Sequence, residues 1–197
     1  MRSLLVLLLL SLPHTSFADT GISDADRRAL EPHRLHLELD PQPIVLGGHG
    51  VQLGWRPAWL PQLRIAVANF ALDIPDAVAQ FDDKNEGFHL SVLPTPALFV
   101  HAIYKGFLLG GSLRYLRLEY THDDFARERS TTQDISLEVI GGYRWFPITN
   151  LGLYVHPWMG LSTALHQSGS KRVGDRTYKS LPVQPFFTVN LGWELNL

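Results

Sequence analysis

The chain contains no cysteine, which excludes disulfide bonds, thiolate nucleophiles and metal sites built on cysteine ligands. It also has no basic excess, because 17 Lys and Arg stand against 19 Asp and Glu, and this argues against a nucleic-acid partner. Charged residues form only 18% of the 197 residues and hydrophobic ones 45%, so a disordered chain is excluded. The length predicts one folded domain, with or without a tail.

Beyond the N-terminal segment, no uninterrupted apolar stretch is long enough for a membrane-spanning helix. The N-terminal segment has Arg2 before an apolar run over residues 4–12, which ends at Pro13. Small residues follow at Ser16 and Ala18, two positions apart. This order is that of a cleaved secretory signal, and the run is too short to cross a bilayer as a helix. The mature chain is therefore predicted to begin after Ala18.

From His33 onward the hydrophobic residues alternate with polar ones, which is the period of a half-buried β-strand. The first run, residues 34–39, alternates without a fault and ends in a predicted turn at 40–43. The eight predicted strands are residues 34–39, 44–55, 63–72, 88–104, 107–122, 133–146, 151–166 and 179–197. Short turns are predicted at 57–62, 104–106 and 147–150, and longer polar loops at 74–87, 123–132 and 167–178. Short turns at one end and longer loops at the other are typical of outer-membrane barrels.

One face of nearly every predicted strand is apolar along its full length. The opposite face carries Gly, Ser, Thr, Asn and aromatic residues rather than the many Lys and Glu of a water-facing sheet. Lys84, Lys105 and Lys179 lie near the predicted strands, and none is at a strand centre. The pattern therefore favours lipid on the apolar face, with a soluble lipocalin-like barrel as the alternative.

Aromatic residues cluster near the two ends of the predicted strands, as membrane–water interfaces favour. Those beside the short turns or the C-terminus include Trp55, Trp59, Tyr104, Trp145 and Trp193. Those beside the longer loops are Phe88, Tyr120, Phe125 and Tyr178. The sequence thus predicts two interfacial aromatic belts.

The exported precursor, the alternating strands and the C-terminal pattern Phe187-x-Val189-x-Leu191-x-Trp193-x-Leu195-x-Leu197 resemble the small outer-membrane β-barrel proteins of Gram-negative bacteria. The resemblance implies an all-β fold, an eight-stranded antiparallel up-and-down transmembrane barrel. It also implies outer-membrane lipid and lipopolysaccharide as partners, and a C-terminal strand read by the barrel-assembly machinery. That strand usually ends in Phe, where this chain has Leu197. Residues 142–158 are further similar to exported bacterial proteins of unassigned function.

Three parts are therefore predicted: a signal peptide over residues 1–18, a polar periplasmic tail over 19–32 and an outer-membrane barrel over 33–197. Nothing in the sequence predicts an oligomeric state. The expected function is structural, or the binding of a ligand or partner through the outer loops.

An eight-stranded barrel encloses an interior just wide enough for side chains to fill, so a water-filled pore is not expected. The strand pattern places nine charged side chains inside: Arg34, Glu38, Arg56, Arg64, Arg117, Glu119, Glu138, Arg144 and Glu194. Their near-balanced charge predicts a network of ion pairs, with a proton or ion path as the alternative. The same pattern leaves Arg114 facing lipid, a misfit worth about 2–4 kcal/mol.

His36, His101, His156 and His166 are predicted to point inward, without the spacing of a zinc motif, so neither a metal nor a cofactor is expected. His89 and Ser91 are similar to the His-x-Ser-Asn motif of the outer-membrane lipid A deacylase, with Val92 in place of the Asn. The resemblance implies an acyl hydrolase as the alternative function. The strand pattern places both side chains in the lumen, where a lipid hydrolase cannot use them. The sequence therefore predicts that the protein is not an enzyme.

Overall fold

The computed structural model describes residues 33–125, 127–148 and 151–197. The predicted signal peptide and polar tail lie outside the described residues. Within those ranges, no helix is both long enough and apolar enough to cross a membrane.

Most of the described chain is extended. The strands are β1 (Arg34–Leu39), β2 (His49–Arg56), β3 (Leu63–Ile74), β4 (Phe88–Tyr104), β5 (Phe107–His122), β6 (Ser130–Tyr143), β7 (Trp145–Ile148), β8 (Leu153–Gly169), β9 (Arg172–Val173), β10 (Arg176–Thr177) and β11 (Gln184–Asn196). The connections contain the helices α1 (Pro41–Val45) and α2 (Asp76–Ala79) and the 3-10 turns Asp83–Asn85 and Asp123–Phe125.

Eight of the strands form a closed antiparallel ring in the order β1-β2-β3-β4-β5-β6-β8-β11. The ring closes because β11 pairs with β8 along one edge and with β1 along the other. The short β7 adds a pairing to β8, while β9 and β10 form a separate hairpin. The predicted eight-stranded antiparallel, up-and-down arrangement is confirmed. We call the end with residues 57–62, 105–106 and the C-terminus the turn end, and the opposite end the loop end.

The first connection differs from the prediction. Residues 40–43 were expected to form a turn and Ile44 to begin a strand, but α1 occupies this segment and β2 begins at His49. The Asp40 side chain accepts a hydrogen bond from the Gln42 backbone N–H at 3.0 Å, and Pro41 stands at the first position of α1. Both features favour a helix start over continued extension.

Strand alternation follows the prediction in β1, β2, β6 and β11. Leu53, Val139 and Leu191 point outward and are 51%, 61% and 53% exposed. Glu38 and Glu138 point inward and are fully or almost fully buried. These strands are apolar outside and polar inside, the reverse of a water-soluble barrel.

In β4 the prediction holds for only half of the strand. The pairing of β4 with β5 is interrupted between Val92 and Ala97, and the inward positions change there from even to odd numbers. Pro94 and Pro96, which cannot donate ladder hydrogen bonds, lie within the interruption. Phe88, with Leu90 and Val92, is therefore buried inside rather than facing lipid as predicted.

In β5 the predicted orientation of the loop-end half is wrong. Leu116, Leu118 and Tyr120 are buried in the interior, so the alternating Arg117 and Glu119 lie on the outer surface. Arg114, predicted to face lipid, points inward on the same alternation. The strand was misassigned because its inward side is apolar at this level.

The loop end encloses an apolar core. Its buried members are Ala79, Phe88, Leu90, Val92, Leu116, Leu118, Tyr120, Val173 and Tyr178, with Phe70, Leu72, Ile74 and Phe125 packed against them. Three residues of the predicted loop-end aromatic belt therefore lie in this core, and that belt is wrong. At the turn end, by contrast, the belt residues Trp55, Trp59, Tyr104, Trp145 and Trp193 are all exposed.

Candidate functional site

A buried carboxylate organises the middle of the barrel interior. Glu38 forms an ion pair with Arg64 at 2.8 Å and accepts hydrogen bonds from the Tyr154 hydroxyl at 2.7 Å and the Asn190 amide at 2.8 Å. Neither Glu38 nor Arg64 has any exposed side-chain surface. Gly54 makes this possible, because a Cβ at that position would collide with the Arg64 guanidinium.

A second carboxylate closes the turn end. Glu194 lies within ion-pair distance of Arg34, of Arg56 at 3.5 Å and of Arg144 at 3.3 Å. Arg144 is almost completely buried, and its guanidinium also lies 5.4 Å from the Tyr154 ring centre. Three arginines on one carboxylate hold three strand ends together across the lumen. We call this group, together with the Glu38–Arg64 group, the ionic floor.

A third pair lies nearer the loop end. Arg114 contacts Glu138 at 2.6 Å, and the Ser112 hydroxyl donates to the same carboxylate. The Arg114 guanidinium also lies 4.3 Å from the centre of the Phe70 ring. Of the nine charged residues predicted in the lumen, seven lie in these groups, whereas Arg117 and Glu119 lie outside. Arg114 is the inward arginine that sequence reasoning missed.

Above the ionic floor, side chains do not fill the lumen. A cavity of about 800 Å³ occupies the loop-end half of the ring, so the predicted side-chain-filled lumen is wrong there. Its apolar walls include Phe70, Leu72, Leu90, Leu116, Leu118 and Phe186. This volume lies in the usual range for sites that bind small organic molecules. We call this cavity the chamber.

Polar atoms without a hydrogen-bond partner line the chamber at its deep side. Among the described residues these include the Gln52 Nε2 and Trp158 Nε1 donors and the Asn190 Oδ1 acceptor. All three residues are at least nine-tenths buried. Because unsatisfied buried polar groups cost about 1–3 kcal/mol each, these atoms would favour a polar group placed among them.

Two loops cover the loop end of the chamber. The Tyr178 hydroxyl donates to the Ala79 carbonyl at 3.0 Å, and the Lys179 backbone N–H donates to Asn85 Oδ1 at 2.8 Å. Lys179 also contacts Asp82 at 2.9 Å. Its hydrogen bond and charge hold the pKa of the Asp82 carboxyl below its usual value. We call these contacts between residues 75–87 and 170–183 the roof.

The candidate catalytic pair occupies the outer surface, not the lumen. The face change in β4 turns His89 and Ser91 outward, which corrects the predicted orientation. His89 Nδ1 lies 2.8 Å from Asp76 and Nε2 2.9 Å from Asp123, while the Ser91 hydroxyl donates to Asp73 at 2.6 Å. Both ring nitrogens of His89 thus lie at carboxylates and the Ser91 hydroxyl is bonded to Asp73, so the His–Ser contact of an acyl hydrolase is not formed in this arrangement.

The remaining histidines divide between the two faces. His36, His101 and His156 are buried inside, whereas His166 lies opposite the outward Ile135 because the β6–β8 register shifts beside it. Its predicted inward orientation is wrong for that reason. In the parts of the chain that the structure describes, no group of three or more His, Asp or Glu side chains is arranged to hold a metal ion.

No family model and no curated protein matches this chain. Among solved structures, the chain is similar to the crystal structure of a major outer membrane protein from Thermus thermophilus. The TM-score is 0.44 and the identity 13%, over 83% of this chain and 99% of that one.

Proposed function

We propose that the protein is a bacterial outer-membrane barrel that binds a long-chain amphiphile with a small polar head group in its chamber. The observation that carries this proposal is the chamber itself, which has apolar walls and buried polar atoms without partners at its deep side.

The outer surface supports the membrane location. Large apolar side chains are exposed around the turn-end half of the ring, on β1, β2, β5, β6, β8 and β11. The exposed Trp and Tyr residues border this surface at the turn end, as residues at a membrane–water interface do. Outer-membrane lipid, lipopolysaccharide and the barrel-assembly machinery remain the proposed partners, as the family resemblance implies.

The ionic floor supports binding rather than diffusion through the barrel. Arg64 and Glu38 are fully buried at mid-lumen, and Arg144 with Glu194 lies between them and the turn end. A solute passing this level would have to separate buried ion pairs, which costs several kcal/mol. We infer a non-conducting barrel with a blind chamber.

The lining indicates the chemistry of the ligand. Leu72, Leu90 and Leu118 offer an acyl chain the dispersion contacts and apolar burial that favour its transfer from water. Gln52 Nε2 can donate to a head group, and Asn190 Oδ1 can accept from one. A hydroxyl or carboxylic acid group has both capacities, so fatty acids and fatty alcohols are the proposed ligand class.

Binding is tested with the purified protein in lipid nanodiscs and dansyl-undecanoic acid as the fluorescent probe. We expect saturable enhancement of dansyl emission, and Ala68→Phe, which fills the chamber, should weaken binding by roughly tenfold or more. Val67→Phe is the matched control, because the neighbouring Val67 points outward and is 55% exposed. Gln52→Leu should weaken the probe by about two- to tenfold, through one lost hydrogen bond.

Equal binding by Ala68→Phe and the unchanged protein would contradict the proposal. The hydrolase alternative is distinguished from binding by comparing the acyl pattern of lipid A from cells with and without the protein. An acyl pattern that changes with the protein, and no longer changes in Ser91→Ala, would favour hydrolysis over binding.

A further inference from the structure

Resting on the proposed function, we propose that the ligand's acyl chain enters the chamber sideways from the membrane. The route is the gap between α1 and residues 184–190 of β11, which we call the lateral opening.

The lateral opening results from the shortness of β1. This strand has six residues, and its pairing with β11 runs only from Asn196 to Leu191. Residues 184–190 of β11 continue beyond it, paired with β8 on one edge but with no described strand on the other. At this level α1 replaces the strand, and the Thr188 hydroxyl donates to Asp40 at 2.8 Å across the gap.

The lining shows that the chamber reaches the outer surface here. Thr188 and Asn190 contribute to it from the inward face of β11, as expected of a lumen. Val51 and Phe187 contribute as well, although both point outward and are 42% and 57% exposed. Residues on both faces of the wall therefore border the cavity at the level where β1 no longer pairs with β11.

The surface around the lateral opening is apolar. Leu39, Phe187 and Leu191 flank it on the strands and are 46%, 57% and 53% exposed. On α1, Ile44 and Val45 are 57% and 83% exposed, although they lie on a short surface helix. An acyl chain in the membrane would therefore meet apolar side chains around the opening, with the Asp40–Thr188 hydrogen bond as the polar contact across the gap itself.

The two ends of the barrel offer less favourable routes for an acyl chain. The ionic floor closes the turn end with buried charge. At the loop end the roof lies over the chamber, although the lining there includes Val78, Phe81 and Leu181, which are 61%, 43% and 43% exposed. The outer surface beside it carries polar side chains such as Asp73, Ser91 and Glu119. An apolar chain would have to cross a hydrated surface there, so the side route has the lower desolvation barrier.

The test exploits the absence of cysteine from the chain. Asp40→Cys and Thr188→Cys place two thiols across the lateral opening, to be bridged with a short cleavable bismaleimide. In nanodiscs preloaded with dansyl-undecanoic acid, bridging should slow probe uptake roughly tenfold or more and leave the equilibrium amplitude unchanged. Cleaving the bridge should restore the rate.

The matched control is Leu113→Cys with Leu137→Cys, which bridges two outward positions on strands already paired in register. This bridge should leave uptake unchanged. A second variant needs no bridging: Thr188→Val keeps the side-chain shape but removes the hydrogen bond to Asp40, and it should speed uptake.

Uptake that is equally fast in the bridged, cleaved and Thr188→Val proteins would overturn the lateral route, while saturable binding would leave the proposed function intact. Absence of saturable binding in the unchanged protein would overturn both.

Discussion

The two halves of the barrel distribute polar and apolar side chains in opposite ways. In the turn half, buried charges such as Glu38 and Arg64 lie inside while Leu53 and Val139 are exposed outside. In the loop half of β4 and β5, apolar side chains line the inside and polar ones such as Glu119 lie outside. One continuous sheet therefore combines the pattern of a membrane barrel with that of a water-soluble one.

Strand length explains why both patterns are present. β4 has 17 residues and is about 55 Å long at about 3.3 Å per residue. Tilted by about 40°, such a strand covers about 42 Å along the barrel axis, against an apolar band of about 25 Å. On the proposed membrane location the excess would stand in water, and the change of face at Pro94 and Pro96 would mark the boundary.

The largest expected effect concerns the charge in the turn half. Arg64→Leu leaves Glu38 buried without its ion-pair partner, which should lower the free energy of unfolding by about 3–5 kcal/mol. Urea unfolding in lipid vesicles, followed by tryptophan fluorescence, measures this. Arg117→Leu is the matched control and should change stability by less than about 0.5 kcal/mol, because Arg117 lies on the outer surface.

A double variant sharpens this prediction. Glu38→Gln with Arg64→Met removes both charges, so it should recover much of the stability lost in Arg64→Leu. Equal losses of unfolding free energy in Arg64→Leu and Arg117→Leu would show that the buried charges of the ionic floor stabilise the protein no more than a charge on the outer surface does.

A smaller effect locates the boundary between the two halves. Val139→Lys puts a charge on the outer surface of the turn half and should cost about 2–4 kcal/mol in a bilayer. Thr131→Lys puts the same charge on the outer surface of the same strand near the loop end, and it should cost less than about 0.5 kcal/mol. Unfolding in lipid vesicles compares the stability of the two variants. Similar losses of unfolding free energy would mean that both positions lie in the same environment.

The sequence predicted side-chain orientation correctly where each face of a strand keeps the same polarity along its length. In β6, Leu137 and Glu138 alternate between exposed outer surface and buried interior, and the pattern predicted both orientations. In β5 the inside changes from Arg114 to Leu116 and Leu118, so polarity no longer identifies the face. The pairing of β5 with β6 runs through Gly110 without a register shift, so the inward face stays the same along the whole strand. Hydropathy alone favoured the opposite face for the loop-end half.

The candidate site depends on contacts between distant residues, which the alternation of polar and apolar residues along a strand cannot predict. The partners of His89 are Asp76 and Asp123, which two different loops bring to it. The chamber arises because Leu90 and Leu118 line the ring of strands without filling it. The pairing of the strands, not their alternation, sets the width of that ring. The lateral opening depends on α1, whose cap at Asp40 resembles an ordinary turn in the sequence.

The smallest expected effect concerns the roof, in whose ion pair 57% of the Lys179 side chain and 26% of the Asp82 side chain are exposed. The pKa of Asp82 is lowered by Lys179, so the contact stabilises the roof at neutral pH and is lost as pH falls through that lowered value. Asp82→Asn should therefore speed hydrogen exchange in residues 75–87 at neutral pH and match the unchanged protein well below the lowered pKa, where Asp82 is protonated.

Asp83→Asn, a neighbour outside the described roof contacts, is the control. Since an exposed ion pair contributes little to global stability, the change should stay local, leaving the unfolding of the turn half unaltered. A pH-independent difference between Asp82→Asn and the unchanged protein would mean that charge does not hold the roof. Global loosening would mean instead that the two halves do not unfold independently.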